Sequence, residues 1–285
     1  MRTQQPYEPV DYLVIGHITQ DVVPNGFNLG GTASYSALTA KAAGLRVGIV
    51  TSCDLKLPLP ELEGVSISVH SSEYSTTFEN IQTPLGRIQV LHHQAQLLTL
   101  SDIPDVWRNA PIVHLGPVAR EVDPKLVRAF PNSFIGLTPQ GWLREWDSTG
   151  HIHMGEWPEH AYVLEQASAA VISIEDVQRM EDRIEEMVAS VRVLVVTEGA
   201  AGARLYWNGD LRYFKPPKEE EIDPTGAGDI FATAFFIRLQ QTRDAWEAAR
   251  FATQLAAISV TRRGLSGTPT PDEIQSATYE IIPNC

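Results

Sequence analysis

The sequence predicts an α/β fold of three layers, α/β/α, with a mostly parallel central sheet and a small, reduced β lid. Three observations predict it. Short apolar runs alternate with segments of helix length along most of the chain. The apolar runs are continuous, as in strands covered on both faces. One stretch, residues 74–93, breaks the rhythm with alternating, β-branched character.

Taken in order, residues 12–15 form a short apolar strand ending at Gly16. Residues 33–43 are small and Ala-rich, good helix formers, and Gly44 supplies a C-terminal breaker. Residues 46–51 (RVGIVT) read as a buried strand, a pattern that returns at 112–115, 134–137 and 170–174. Residues 191–197 (VRVLVVT) are the most strand-like run. Two helical patterns follow, at 226–240 and 244–259. Residues 74–82 and 86–93 read as a hairpin turning at Thr83-Pro84-Leu85-Gly86, either a projecting lid or an ordinary edge hairpin. No repeat, low-complexity tract or Gly/Ser-rich linker divides the chain, so residues 1–285 are expected to form one domain.

Composition narrows the function classes. With 22 Lys+Arg against 35 Asp+Glu, the net charge is -13 and the pI near 5.0. Such a field repels polyphosphate chains and anionic bilayers, so neither nucleic acid nor a membrane is an expected partner. A small nucleotide stays open, because helix N-terminal N–H groups hold a phosphate locally. Cys53 and Cys285 cannot make a disulfide framework. The first residues are polar and lack the apolar core of a secretory signal, and no apolar run is long enough to span a bilayer. A soluble, cytoplasmic protein is the expectation.

The chemistry concentrates at Asp223-Pro224-Thr225-Gly226-Ala227-Gly228-Asp229 and the apolar segment after it. Pro224 disfavours helix at Asp223, so the helix starts beyond it, with Ile230, Ala234 and Ile237 on one face. Its small first turn lets an anion approach unpaired N–H groups. Asp229 beside that anion would repel it if the site only bound phosphate. It makes sense as a base that takes a proton from a hydroxyl attacking phosphorus. The plainer alternative is a carboxylate complementing the helix dipole.

This segment resembles the C-terminal signature of the ribokinase-like (PfkB) family of sugar and nucleoside kinases. Three further stretches resemble that family in its order: Val14-Ile-Gly-His-Ile-Thr-Gln-Asp21, Leu29-Gly-Gly-Thr-Ala-Ser-Tyr35 and Thr197-Glu-Gly-Ala-Ala-Gly202. The resemblance implies a ribokinase-like kinase using ATP and Mg²⁺ on a small sugar or polyol. It implies Asp229 as catalytic base, with Gly226, Ala227 and Gly228 as the anion hole. Asp21, Gly30 and Gly31 would hold acceptor hydroxyls, and Thr197, Gly199, Gly202 and Ser173 would face the nucleotide. Asp176 would serve Mg²⁺, with Glu175 as rival, because Ser173-Ile-Glu-Asp176 stands where the family often has N-x-x-E. The loop from Ser259 to Thr268 resembles the K⁺ loop of some members, with ligands from Asp223, Thr225, Ser259, Arg262, Gly264 and Thr268; a surface turn is the alternative.

Only residues 22–29 separate Asp21 from Gly30, so the lid usually inserted there is expected to be mostly missing, leaving the hairpin at 74–93. The short connection before Leu29-Gly30-Gly31, the RIQVLHH strand and Pro139-Gln140-Gly141-Trp142-Leu143-Arg144 resemble the inositol-kinase branch. In that branch Gln140 and Arg144 would contact substrate or phosphate; locally, Gln140-Gly141 could instead be a turn and Arg144 a partner for Glu145. A nucleoside kinase, with Tyr35 or a nearby Trp stacking on a base, is one alternative function. A catalytically silent ligand-binding relative is another. The oligomeric state, monomer or homodimer, stays open.

Overall fold

The computed structural model describes residues 7–83 and 86–278. The turn residues Pro84 and Leu85, and Cys285, lie outside them. The first half runs β1 (Tyr12–Ile15), β2 (Thr19–Val23), β3 (Gly26–Gly30), α1 (Gly31–Ala42), β4 (Val47–Cys53), β5 (Ser66–Ser71), β6 (Thr77–Thr83), β7 (Gly86–His93), β8 (Ile112–Leu115) and β9 (Phe134–Leu137). Next come β10 (Arg144–Trp146), β11 (Ile152–Met154), α2 (His160–Leu164), β12 (Ala169–Ser173), α3 (Glu181–Ser190) and β13 (Val193–Thr197). The chain closes with β14 (Ala203–Trp207), β15 (Asp210–Phe214), α4 (Ala227–Thr242), α5 (Ala245–Ser259) and α6 (Pro271–Thr278).

Nine strands form the central sheet in the order β15-β14-β13-β12-β9-β8-β1-β4-β5. From β5 to β13 every pairing is parallel, and β14 and β15 add an antiparallel edge. Alternate residues of β1 explain the continuous apolar runs: Tyr12 and Val14 join the core under α1, α4 and α5, while Leu13 and Ile15 join the core on the other face. The first face carries long helices. The second carries α2, α3 and short 3₁₀ turns at Leu100–Asp102, Asp105–Asn109 and Pro124–Arg128 where full crossover helices were expected. Trp107, Phe130 and the stacked pair Trp142 and Trp157 supply apolar bulk in place of those helices. From Ile230 to Ile237 α4 is deeply packed, against α1, α5 and strands β8, β9 and β12.

A second sheet, ordered β3-β2-β6-β7, stands off the central one. The hairpin β6–β7 forms as expected from its alternation, and two further strands join it. Residues 19–30 fold back on themselves as β2–β3, pairing Asp21 with Asn28, and β2 runs parallel to β6 with Asp21 opposite Phe78. Pro24-Asn25 makes that two-residue reversal, and Gly26 opens β3 at φ 134°.

Candidate active site

The amino end of α4 sets the site. Gly226, at φ 80°, is the residue before the helix, and a Cβ there would run into the Tyr35 ring of α1. Only glycine meets both demands, so α1 and α4 approach closely where the helix begins. The Ala227 N–H turns back to the Pro224 carbonyl at 3.2 Å. Of the three expected anion-hole residues, Gly226 and Gly228 are thus the better placed to offer an amide to a ligand. Asp229, half-buried one residue further on, accepts a 2.7 Å hydrogen bond through Oδ1 from the Thr32 hydroxyl. Burial pushes its carboxyl up to about 6; the Thr32 hydrogen bond and Arg144 pull it down, and Asp176 pushes it up again.

These groups line a cavity of about 750 Å³ between the lid and the carboxyl ends of the parallel strands, where ligands bind in open α/β sheets. From the lid and the loops below it come Asp21, Gly31, Gln140 and Arg144. From the ends of β12 and β13 and the loops beyond come Ser173, Glu175, Asp176, Thr197, Gly199 and Gly202. Thr225, Gly226, Ala227, Gly228 and Asp229 lie in the wall with them. Gly30 sits just behind the surface, where a Cβ would meet the Asp21 carboxylate. Gly202, at φ 105°, lies so close to the Phe214 carbonyl that no side chain fits.

Gln140 and Asp176 meet across the cavity. The Gln140 side-chain N–H donates to Asp176 Oδ1 at 3.0 Å, and the Ser173 N–H donates to Oδ2 at 2.9 Å. Burial holds the Asp176 carboxyl above its ordinary value, although Arg144, Gln140 and the Ser173 N–H all work against it. Each Asp176 oxygen accepts one of these bonds and keeps a further lone pair for a water molecule. Glu175 is exposed at the rim. Beside Glu145, which is bonded to Arg120, stands Arg144. Its Nη1 donates to the Val118 carbonyl at 2.9 Å, and its guanidinium lies 5.6 Å from the Phe78 ring centre.

Of the six expected K⁺ ligands, Thr225 lines this cavity, Asp223 and Gly264 line a second pocket, and Ser259, Arg262 and Thr268 line neither. Asp223 accepts from the Thr225 and Gly264 N–H groups at 3.0 and 2.9 Å. Burial acts to raise its carboxyl, but these bonds win and hold it low. The Ser259 and Arg262 carbonyls converge on Gly267, where a Cβ would lie 2.8 and 3.5 Å from them. The Arg262 guanidinium bridges Glu273 at 3.0 Å and donates to the Thr268 carbonyl at 3.5 Å, so that carbonyl already faces a cation.

Several cavity residues escaped the sequence reading. Thr32 follows the Gly30-Gly31 pair directly. Phe78, Asn80 and Gln89 come from the hairpin, where the 78/80 spacing puts two side chains on one face. Arg179 and Lys218 add cations. Tyr35, almost fully buried against Gly226, still lines the cavity, whereas Trp142 and Trp157 stack on each other in the core and do not line it.

The parallel α/β sheet closed over by a small β sheet is a ribokinase-like fold. Residues 163–273 match the family model described as pfkB family carbohydrate kinase. It is 26% identical over 275 residues to the cytidine kinase of Thermococcus kodakarensis, covering 87% of this chain and 95% of that protein. It is 30% identical over 129 residues to the inositol 3-kinase of Zea mays, covering 44% of this chain but 33% of the maize protein. A pyrophosphate-dependent kinase in the ribokinase family, solved with a pyrophosphate analogue and myo-inositol, superposes with a TM-score of 0.76 at 19% identity, over 93% of this chain and 99% of that one.

Proposed function

We propose that this chain transfers the γ-phosphoryl group of ATP to a hydroxyl of a small polyol or sugar, with a cyclitol such as myo-inositol as the leading acceptor. The observation that carries the reading is Asp229, half-buried beside the amino end of α4, sharing one cavity with the lid carboxylate Asp21. Asp21, with the backbone around Gly30 and Gly31, holds acceptor hydroxyls. Asp229 takes the proton as the acceptor O–H bond breaks. The acceptor oxygen then forms its bond to Pγ while the bond from Pγ to the bridging oxygen breaks, and ADP leaves with that electron pair. The amides of Gly226 and Gly228, and Arg144 beyond them, face the charge on the transferring group. The proton on Asp229 passes to water once the product has left.

Mg²⁺, when bound with the donor, neutralises phosphate charge. Asp176 suits its water shell through the lone pairs it keeps, and Glu175 stands at the rim as a second carboxylate. Thr197, Gly199, Gly202 and Ser173 are the residues assigned to the nucleotide. For K⁺, the converging Ser259 and Arg262 carbonyls, with Asp223, Thr225 and Gly264 around them, are the better-placed part of the expected set. Thr268 is the weaker part.

The nucleoside reading keeps one specific support, the alignment with a cytidine kinase along nearly the whole chain. The test is ADP release from Mg-ATP with myo-inositol, ribose, fructose, 2-keto-3-deoxygluconate, adenosine and cytidine, with and without K⁺, and with pyrophosphate as a second donor. Turnover confined to myo-inositol is the expected result. Turnover with cytidine or adenosine alone would replace the acceptor and keep the chemistry. Turnover with pyrophosphate but not ATP would replace the donor. No turnover with any pair, from folded protein, would overturn the kinase reading.

A further inference from the structure

Thr32 is the second residue of α1, almost fully buried, and its hydroxyl leaves its own helix. Two other hydroxyls of α1 do what helical Ser and Thr usually do and bond back to carbonyls four residues earlier. Ser34 bonds the Gly30 carbonyl at 2.7 Å and Thr39 the Tyr35 carbonyl at 2.8 Å. The Thr32 hydroxyl instead crosses to α4 and donates to Asp229 Oδ1 at 2.7 Å. Its methyl is fixed from behind, because it packs on Gly116 so closely that a Cβ there would collide with it. The methyl thus faces Gly116 while the hydroxyl faces Asp229. Asp229 Oδ2 makes no hydrogen bond among the described residues.

We propose that Thr32 is the positioning residue for Asp229: it holds Oδ1 and leaves Oδ2 facing the acceptor hydroxyl. This rests on the reading of Asp229 as the base. A hydroxyl that donates to a carboxylate also stabilises its ionised form, so Thr32 keeps Asp229 ready to accept a proton in a pocket that otherwise disfavours the charge. The other groups facing Asp229 are Arg144 from β10 and Asp176 from the loop after β12. Tyr35 of α1 and Tyr12 of β1 also feel its charge, and burial keeps both phenols neutral.

Thr32→Val removes the hydroxyl at nearly constant shape, and Thr32→Ser keeps it. In T32V, kcat is expected to fall about tenfold or more with the acceptor KM within about twofold, and the acid limb of kcat/KM to move up by about one pH unit. T32S should recover most of both. If the valine variant melts too low to assay, Thr32→Ala takes its place, since it removes the hydroxyl without setting a methyl against the Asp229 carboxylate. An unmoved acid limb overturns the proposal, as does an equal loss in T32S and T32V.

A readout without turnover separates this from failure of the kinase reading. The Asp229 carboxyl ¹³C resonance, identified by its absence in D229N, should titrate about one unit higher in T32V than in the wild type. An unchanged midpoint overturns the inference whatever the enzyme does. A D229N protein that keeps the wild-type rate overturns the base reading while leaving the Thr32 hydrogen bond itself measured.

Discussion

A carboxylate in the first turn of a helix ordinarily gains from the dipole, which favours its charge. At Asp229 burial overrides that gain and raises the carboxyl to about 6. Two outcomes follow at the scale of this residue. Activity should be lost as pH falls through about 6, because the base must be ionised; a pH profile of kcat/KM checks this. Asp229→Asn should lower kcat by about 10³-fold, read by ADP release against the wild type. The same substitution should stabilise the protein at pH 7. A raised carboxylate is a group whose charged form the fold disfavours, so its cost is present above pH 6 and disappears towards its ordinary value of 3.8. D229N should therefore melt about 3 °C higher at pH 7, with the gain gone near pH 4. The role proposed for Asp229 is suggested by its place after Gly-Ala-Gly; that proposed for Thr32 is not, because a hydroxyl after two glycines says nothing about which helix will lie across from it.

Among the elements, the amino end of α4 and the edge of the sheet carry the site's geometry. Gly226→Ala would place a methyl at φ 80° against Tyr35, costing about 1 kcal/mol in backbone strain alone and forcing α1 and α4 apart. Turnover should fall more than stability does, which paired assays and melting curves would show. Arg204 of β14 is bridged to Glu181 of α3 at 2.9 Å and to Glu198 of the loop after β13 at 2.8 Å, with its side chain 9% exposed. Arg204→Ala leaves Glu198 without this partner beside the residues assigned to the nucleotide. It should raise the ATP KM and lower the melting temperature by about 5 °C. Long apolar elements such as β13, α4 and α5 were legible because their burial is written in continuous runs. β2 and β3 were not, since both strands are short and no continuous apolar run marks them.

At the scale of the whole molecule, lid and sheet share the cavity but little core, with Leu29 of β3 packed against the core under α1 and α4. Phe78 and Leu91 pack with Val118 and Ala119 in a small cluster of their own, separate from the two main cores. Ligands that touch both sheets should therefore stabilise the protein strongly. A non-hydrolysable ATP analogue with the true acceptor, each at about 100 times its Kd, should raise the melting temperature by about 5 °C or more, and acceptors that are not substrates should not. Among the described residues no helix is long and apolar enough to cross a membrane.

By itself the sequence determined the α/β architecture, through continuous apolar strands and helix-length spacers, and it determined Asp229 and its glycine turn. Both are local statements, fixed by which residues stand next to one another. The tertiary structure alone decided the four-stranded lid, the thin second layer, the pairing of Gln140 with Asp176 and the hydrogen bond from Thr32 to Asp229. Those depend on contacts between residues far apart in the chain: Thr32 and Asp229 meet because a glycine at φ 80° brings α4 onto α1, and no local pattern records that approach.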